Sequence, residues 1–428
     1  MTRNIASPAS PEDGVPVSCP ACAASTERGE RGERGERGEH GEHGGYGAHV
    51  DASHPAPIAQ DVARSPLDPW LAARLSIPFD ALSPATVRAR QGDLLCEAVR
   101  RALDAPFYRA RLAGLGLSHS RPHSRPLSLD DLPGLPFTTP EDLREAGDAL
   151  LRVADDAVAR IVTLPTSGST GSPKRLRFSD ADIERTVDFF AVGMTTLCRP
   201  GDVVAIFMPG QRPDSVGNLL DRGLRRAGMQ PVLLPPAASG AEHAARLAET
   251  GAQVFVATPT QARALADAVL ADATLADSMM RDQPLAPRPR ACLLSAEATP
   301  PETADRVRAA LGCEVFDHWG MTETGYGGGV ECAAHHGFHL READIHVEIV
   351  HPLTGAPLPD GQTGEVVVTT LASEAMVLLR YRTGDAAAIL PPPCRCGSPL
   401  RRLGPVRGRI RRYGNHWDII TLAKGVRP

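Results

Sequence analysis

The sequence predicts an α/β fold: a largely parallel sheet flanked by helices, followed by a smaller β-rich subdomain. The first observation is that short apolar runs alternate with helical stretches between residues 203 and 316, as in parallel sheets. The second is a change of pattern from His339, where apolar runs are separated by turn residues. The third is the length of 428 residues, which is enough for two or three domains.

The first 65 residues are expected to form a disordered, low-complexity tail. Residues 27–44 repeat Glu-Arg-Gly and then Glu-His-Gly, and such a polar, Gly-rich tract cannot bury enough surface to fold. Cys19 and Cys22 form a CxxC pair in this tail. Since no second pair stands nearby, we favour a solvated pair over transient metal binding.

From Pro66 the composition becomes globular, and local signals place the first elements. Apolar residues at helical spacing predict a helix over residues 87–103. Thr139 is predicted to cap a short helix that has Pro140 in its first position and Asp142 in its third. An apolar run at residues 161–164 indicates a strand.

The alternating region supplies the strands and helices of the expected core, residues 66–338. Ser179 and Asp182 predict a capping box at the start of its first helix. Strands are predicted at residues 203–208, 231–234, 254–257, 291–294 and 314–316, and helices at 181–197, 215–227, 241–250, 260–270 and 301–311. Beyond them, residues 345–350 and 365–371 predict an antiparallel hairpin within a β-rich subdomain, residues 339–410.

Residues 166–174, Thr-Ser-Gly-Ser-Thr-Gly-Ser-Pro-Lys, predict a loop that binds a polyphosphate. The glycines allow several backbone N–H groups to point into one concavity, the hydroxyls add donors, and Lys174 adds a positive charge. The loop residues are Thr166, Ser167, Gly168, Ser169, Thr170 and Gly171. The pattern is not Walker A, because Arg175 follows Lys174. The alternative is an ordinary Ser/Gly loop.

Three segments, in this order, resemble the adenylate-forming (acyl-CoA synthetase/ligase) superfamily. They are residues 166–174, residues 319–324 (Trp-Gly-Met-Thr-Glu-Thr) and residues 381–385 (Tyr-Arg-Thr-Gly-Asp). Residues 135–139, 186–190, 327–332 and 394–397 are most similar to the phenylacetate-CoA ligase branch. The resemblance covers roughly residues 66–410. It implies the N-terminal domain of that superfamily and an enzyme that activates a carboxylic acid, often aromatic, as an acyl-adenylate before transfer to coenzyme A.

The resemblance also implies roles for the phosphate-binding residues. The loop and Lys174 would hold the β- and γ-phosphates of ATP, and Thr322 would reach the α-phosphate. Glu323 would hold Mg²⁺, a hard cation that prefers carboxylate oxygen. The alternative for Glu323 is a surface or helix-capping role.

The adenosine part of the nucleotide has its own set of implied residues. Trp319 occupies the aromatic position that stacks on adenine, next to Gly320 and Met321, although a core Trp is the alternative. The segment Ser295, Ala296 and Glu297 resembles the lining of the adenine pocket. Asp385 would accept hydrogen bonds from the ribose hydroxyls. Arg409 resembles the arginine that helps to fix the ribose and phosphate.

A second metal is implied by four residues with a Cys-x6-His and a Cys-x-Cys spacing: Cys332, His339, Cys394 and Cys396. Four such ligands suit tetrahedral Zn²⁺, and some members of the branch carry a structural zinc at matching positions. The site would be a structural staple. The alternatives are two unrelated groups of reduced cysteines, or His335 or His336 in place of His339.

Superfamily members continue into a swinging C-terminal domain that supplies a catalytic lysine. Here Asp418 resembles the hinge residue, and residues 411–428 are interpreted as the hinge and a remnant of that domain, which is otherwise absent up to Pro428. We therefore expect slow adenylation and poor transfer to coenzyme A. Two other functions remain open: loading of a carrier protein, or nucleotide binding without full turnover.

Composition limits partners and compartment. The net charge of −5 gives no reason to expect nucleic acid or an anionic membrane as partner. No apolar run approaches the ~18–20 residues that span a bilayer, and no secretory signal is visible at the N-terminus. Nine scattered cysteines fit a reducing cytoplasm. The expected partners are the acid, ATP and coenzyme A, and a homodimer is compatible with the sequence.

Overall fold

The computed structural model describes residues 64–117, 127–164, 173–280 and 288–421. The predicted tail with Cys19 and Cys22 lies outside these residues, apart from its last two positions. The helices are α1 (Leu67–Arg74), α2 (Pro84–Ala102), α3 (Pro106–Ala113), α4 (Pro140–Glu145), α5 (Asp180–Met194), α6 (Val216–Arg226), α7 (Gly240–Thr250), α8 (Pro259–Ala271), α9 (Ala273–Met280) and α10 (Pro301–Leu311). Among the described residues, none of the helices has the length and apolar character needed to cross a bilayer.

The strands form one pair and two larger sheets. They are β1 (Arg160–Leu164), β2 (Lys174–Phe178), β3 (Val203–Ile206), β4 (Gln230–Leu233), β5 (Val254–Ala257), β6 (Ala291–Leu294), β7 (Glu314–Trp319), β8 (Gly329–Glu331), β9 (Phe338–Leu340), β10 (Ile345–Val350), β11 (Gly364–Thr370), β12 (Tyr381–Ala387), β13 (Ile389–Leu390), β14 (Arg402–Leu403), β15 (Gly408–Tyr413) and β16 (His416–Ile420).

Helix starts follow the capping signals in the sequence. Ser179 accepts a hydrogen bond from the backbone N–H of Asp182 and begins α5, and Thr139 does the same for α4, where Pro140 occupies the first position. Both predicted capping boxes are therefore confirmed. Each satisfies backbone donors that the first turn of a helix leaves unpaired.

The larger sheet has nine strands in the order β13-β14-β9-β8-β7-β6-β5-β3-β4. Its five strands from β4 to β7 are parallel, as predicted. The other four continue the sheet in antiparallel pairing, which the sequence analysis did not predict. They are two or three residues long, too short to show a periodicity. Strand β7 also runs to Trp319, three residues beyond its predicted end.

The smaller sheet is antiparallel, with the strand order β10-β11-β12-β15-β16. The predicted hairpin is confirmed as β10 and β11. Residues 381–385 lie within β12. Strand β16 pairs with β15 and places Asp418 opposite Arg411, so residues assigned to the hinge are here part of this sheet.

A hydrophobic cluster joins the two sheets. It takes Trp319, Phe338 and Leu403 from the nine-stranded sheet and Val347 and Val366 from the five-stranded sheet. Separate clusters cover the two faces of the parallel strands, with α5 and α6 on one side and α7, α8 and α10 on the other. The carboxyl end of β7 therefore lies where the sheets meet.

Candidate active site

Glu323 lies at the centre of the site, on a single 3₁₀ turn (Thr322–Thr324) that follows β7. The Nζ atom of Lys174 is 2.6 Å from Glu323 Oε1, and the Tyr381 hydroxyl donates to the same oxygen at 2.9 Å. The Glu323 side chain is only 6% exposed. Three chain segments that resemble the superfamily thus meet at one nearly buried carboxylate.

The contact of Tyr381 with Glu323 was not foreseen from the sequence. Burial raises the pKa of Tyr381 far above its usual range, and the nearby charge of Glu323 raises it further. The hydroxyl therefore stays protonated and acts as a donor. Tyr381 is the first residue of the segment 381–385 that resembles the superfamily, and this position is the sequence signal that could have indicated its role.

The turn that carries Glu323 is fixed by its neighbours. The Thr324 hydroxyl bonds to both the backbone N–H and C=O of Met321, and Gly325 ends the turn at φ +67°. A Cβ on Gly325 would lie 2.9 Å from the Thr186 hydroxyl oxygen, so a larger residue is excluded here. Thr324 is buried as a structural residue, whereas Thr322 is partly exposed beside Glu323.

Asp385 and Arg409 form an ion pair across the neighbouring strands β12 and β15, where they are opposite each other. Burial raises the pKa of the Asp385 carboxyl, whereas Arg409 and a hydrogen bond with the Trp319 side chain act in the opposite direction. The carboxylate is 12% exposed. This arrangement suits a carboxylate that accepts hydrogen bonds while its charge is balanced.

Trp319 occupies a core position, which was the alternative given from the sequence. Its side chain lies in the cluster that joins the two sheets, and the residue is 6% exposed. A Cβ on Gly328 would lie 2.3 Å from the indole ring, so the glycine makes room for it. Stacking of Trp319 on adenine stays a prediction. The adjacent Gly320 and Met321 are partly buried.

The segment that resembles an adenine-pocket lining follows β6. The Ser295 hydroxyl lies 3.1 Å from Nδ1 of His318, and the Thr260 hydroxyl donates to Glu297 at 2.6 Å. Ala296 has φ +71° and is exposed. These residues lie beyond the carboxyl ends of parallel strands, where ligands bind in open α/β sheets.

An apolar cavity of about 530 Å³, its open mouth included, lies between α5, α6 and the ends of β5 to β7. Its walls include Phe189, Phe190, Met194, Met208, Leu220 and Val330. Ser295, Ala296 and His318 close one side. No sequence pattern indicates this cavity, because its walls come from segments that share no motif.

Cys332, His339, Cys394 and Cys396 form a buried cluster whose ligand atoms all lie within 4.8 Å of one another. The Cys332 and Cys394 sulfurs are 3.7 Å apart, and Cys396 Sγ is 3.4 Å from His339 Nε2. A tetrahedral Zn²⁺ with Zn–S bonds of ~2.3 Å requires sulfurs about 3.8 Å apart. The donor set therefore fits zinc.

The two alternative histidines lie outside this cluster. His335 bonds to Glu331 and Glu314, and His336 accepts from Arg402.

The predicted phosphate loop, Thr166, Ser167, Gly168, Ser169, Thr170 and Gly171, lies outside the described residues. Its flanks are described. Strands β1 and β2 pair antiparallel, with Leu164 opposite Lys174. The two described strands on either side of the predicted loop are therefore paired, and the ion pair of Lys174 joins β2 to Glu323.

Comparisons with known proteins show the family of this chain. The sequence model of the AMP-binding enzyme family matches residues 127–373. The chain is 29% identical to a phenylacetate-coenzyme A ligase of Pseudomonas putida, over 82% of this chain and 75% of the relative. It is 29% identical to that of Thermus thermophilus, over 81% and 74%. The match to the Escherichia coli enzyme is 26% identical, over 82% and 75%.

Solved structures share the fold. An open conformation of 2-hydroxyisobutyryl-CoA ligase, in complex with 2-HIB-AMP and CoA, aligns with a TM-score of 0.66 and 20% identity. The alignment covers 79% of this chain and 74% of that one. The same ligase in its postadenylation state also aligns with a TM-score of 0.66, at 21% identity, over 79% and 71%.

Proposed function

Because the chain belongs to the AMP-binding enzyme family, we propose that it is an ATP-dependent acid-CoA ligase. It would activate an aromatic carboxylic acid as an acyl-adenylate and then transfer the acyl group to coenzyme A. The observation that carries this proposal is the meeting of Lys174 and Tyr381 at the nearly buried carboxylate of Glu323.

Adenylation joins two anions, since the carboxylate attacks the α-phosphorus of ATP and expels pyrophosphate. The site must therefore balance negative charge and align the reactants. Lys174, together with the predicted phosphate loop that precedes it, would hold phosphate oxygens. Thr322, partly exposed beside Glu323, would donate to the α-phosphate.

Glu323 would hold Mg²⁺, which supplies positive charge to the phosphates. The observed geometry is compatible, because Glu323 is a nearly buried carboxylate whose described contacts are both made by Oε1. Tyr381 would keep this carboxylate oriented. Asp385 would bind the ribose hydroxyls, with Arg409 fixing its orientation.

The Cys/His cluster supports a second proposal, one structural Zn²⁺ held by Cys332, His339, Cys394 and Cys396. We also propose a cytoplasmic location, in keeping with the seven cysteines of the described residues, all of which are free thiols. The role of the zinc would be structural, because four protein ligands leave no coordination position open for a substrate.

The test is carboxylate-dependent ATP–pyrophosphate exchange over a panel of aryl and alkyl acids, followed by thioester analysis with coenzyme A. We expect slow exchange with at least one aryl acid and still slower formation of its CoA thioester. Exchange with thioester formation only on a carrier protein would identify a carrier-loading enzyme. Nucleotide binding without exchange for any acid would overturn the proposed activity.

A further inference from the structure

His318 presents a buried nitrogen that the described residues leave without a partner. The residue lies on β7 and lines the apolar cavity. Its Nδ1 is 3.1 Å from the Ser295 hydroxyl, whereas Nε2 is shielded from solvent and has no hydrogen-bond partner among the described residues. An unsatisfied buried polar atom costs about 1–3 kcal/mol. A ligand that entered the cavity could remove this cost.

The other residues that line the cavity indicate the chemical character of the rest of such a ligand. Phe189, Phe190 and Tyr326 supply aromatic walls, and Met194 and Leu220 supply aliphatic ones. Pockets of this kind bind an apolar body and use a few polar groups to fix its orientation. The expected ligand is thus an aryl group with one polar substituent directed to His318.

The protonation state of His318 limits which polar substituents of the ligand can bind to it. Burial lowers the pKa of His318 to about 4, so the ring is neutral near pH 7. The Ser295 hydroxyl can donate to Nδ1 or accept from it, so Nε2 is an acceptor in one tautomer and a donor in the other. A hydroxyl on the ligand can pair with either form, whereas a charged substituent would have to be desolvated among apolar walls.

We propose that the His318–Ser295 pair selects an aryl acid that carries a ring hydroxyl, with His318 Nε2 as the hydrogen-bond partner of that hydroxyl. This inference rests on the proposed function, because it names the substrate class of the same site. A site built to bind a hydroxyl discriminates against the analogue that lacks it, since the protein atom is then left unpaired.

The test uses acyl-sulfamoyladenosines, which mimic the acyl-adenylate and do not turn over. The 2-, 3- and 4-hydroxyphenylacetyl compounds are each compared with the matching methyl compound, which has a similar size but no hydrogen bond. For at least one ring position, we expect the wild-type chain to bind the hydroxyl compound about 10- to 100-fold more tightly. Dissociation constants measured by calorimetry give this ratio.

His318→Phe keeps an aromatic ring and removes both nitrogens. At the ring position that the wild-type chain prefers, this variant should bind the hydroxyl and methyl compounds with affinities that agree within about threefold. The methyl compound should still bind this variant, which shows that the pocket is folded. Met194→Leu alters an apolar wall of the same cavity and should leave the ratio near the wild-type value.

Two failures can be told apart. If hydroxyl and methyl compounds bind equally at every ring position, or if His318→Phe keeps the preference, the role of His318 is wrong while the ligase proposal stands. If none of the six compounds binds the wild-type chain while some acid still supports ATP–pyrophosphate exchange, the inference about His318 is wrong and the ligase proposal stands. If no acid supports exchange either, both are wrong.

Discussion

At the residue scale, Glu323 joins a charge to a defined geometry. Its carboxylate accepts from Tyr381 and pairs with Lys174, so the substitution Glu323→Gln keeps the shape and removes the charge. We expect ATP–pyrophosphate exchange to fall about 10²–10³-fold, the scale seen when one preorganised group at a transition state is lost. Thermal unfolding should show that the variant remains folded, because glutamine still accepts from Tyr381 and the Lys174 side chain is 21% exposed.

Two further variants frame this result. Tyr381→Phe removes one hydrogen bond to Glu323 and should cost about tenfold in exchange. Glu184→Gln removes a carboxylate that pairs with Arg222 and Arg226 on the surface, and should leave exchange unchanged. Exchange by Glu323→Gln close to that of the wild-type chain would remove Glu323 from the site.

His346 predicts a pH dependence of stability. Its Nδ1 lies 2.9 Å from Gln91 Oε1, and Gln91 itself donates to two backbone carbonyls, so Nδ1 is the protonated nitrogen of a neutral ring. Burial lowers the pKa of His346 well below its usual range, and the charges of Arg401 and Arg88 act in the same direction.

The direction of this pH dependence follows from whether the histidine binds a proton in the folded and in the unfolded chain. An unfolded histidine binds a proton below about pH 6.5, whereas folded His346 does not. Its contribution to the free energy of unfolding is therefore complete above about pH 6.5 and falls by about 1.4 kcal/mol per pH unit below it. Urea titrations at several values between about pH 5 and pH 7 give the free energy of unfolding as a function of pH. This free energy should change less steeply with pH for His346→Gln than for the wild-type chain. An equal pH dependence in the two proteins would contradict the conclusion that His346 is buried as a neutral ring.

At the scale of elements, a buried ion pair ties β10 to the chain before β12. Arg380 makes two hydrogen bonds to the carboxylate of Glu348, at 3.0 and 3.1 Å, and the side chains are 1% and 9% exposed. Arg380 also donates to the carbonyls of Pro133 and Leu135, and its guanidinium lies 4.0 Å from the centre of the Phe137 ring. The next residue is Tyr381 of the site.

Glu348→Ala would leave the Arg380 charge buried without its carboxylate. We expect a loss of about 3–5 kcal/mol in the free energy of unfolding. The comparison is Glu184→Ala, which breaks exposed ion pairs and should cost no more than about 1 kcal/mol. Urea unfolding of both variants measures the difference, and similar losses would show that the Arg380–Glu348 pair is not a structural anchor.

The elements also show how far the sequence specifies the fold. Strands β5 and β6 and helix α10 have the bounds predicted for them. The strands are fully buried apolar runs, and α10 starts at a proline and ends at Gly312 in the left-handed conformation. The sequence did not predict β8, β9, β13 and β14, whose pairing depends on neighbouring strands and not on a local pattern.

The residues of the site also differ in whether the sequence could predict them. Lys174, Glu323 and Asp385 lie in contiguous segments that resemble a family, so the sequence could name them. Tyr381 lies in such a segment, but its role depends on a contact with another strand. His318 belongs to a cavity built from separate helices and strands, which no single segment encodes.

At the scale of the whole molecule, the Cys/His cluster connects distant parts of the chain. Cys332 follows β8, His339 lies in β9, and Cys394 and Cys396 lie between β13 and β14. Cys332 and Cys394 are 62 residues apart. A zinc ion at this cluster would hold together the antiparallel strands that extend the nine-stranded sheet.

Purified protein should therefore contain about one tightly bound zinc per chain, because four converging ligands form a closed structural site. The double substitution Cys394→Ser and Cys396→Ser should abolish the zinc and lower the melting temperature by at least about 5 °C, since metal binding adds to folding stability. Cys96→Ser is the matched control, because Cys96 is a free thiol outside the cluster, and it should keep both the zinc and the melting temperature. Metal analysis by mass spectrometry and thermal unfolding test the two expectations separately. Protein prepared without chelator that holds no zinc would contradict the metal site, whereas zinc loss without a change in melting temperature would contradict only its structural role.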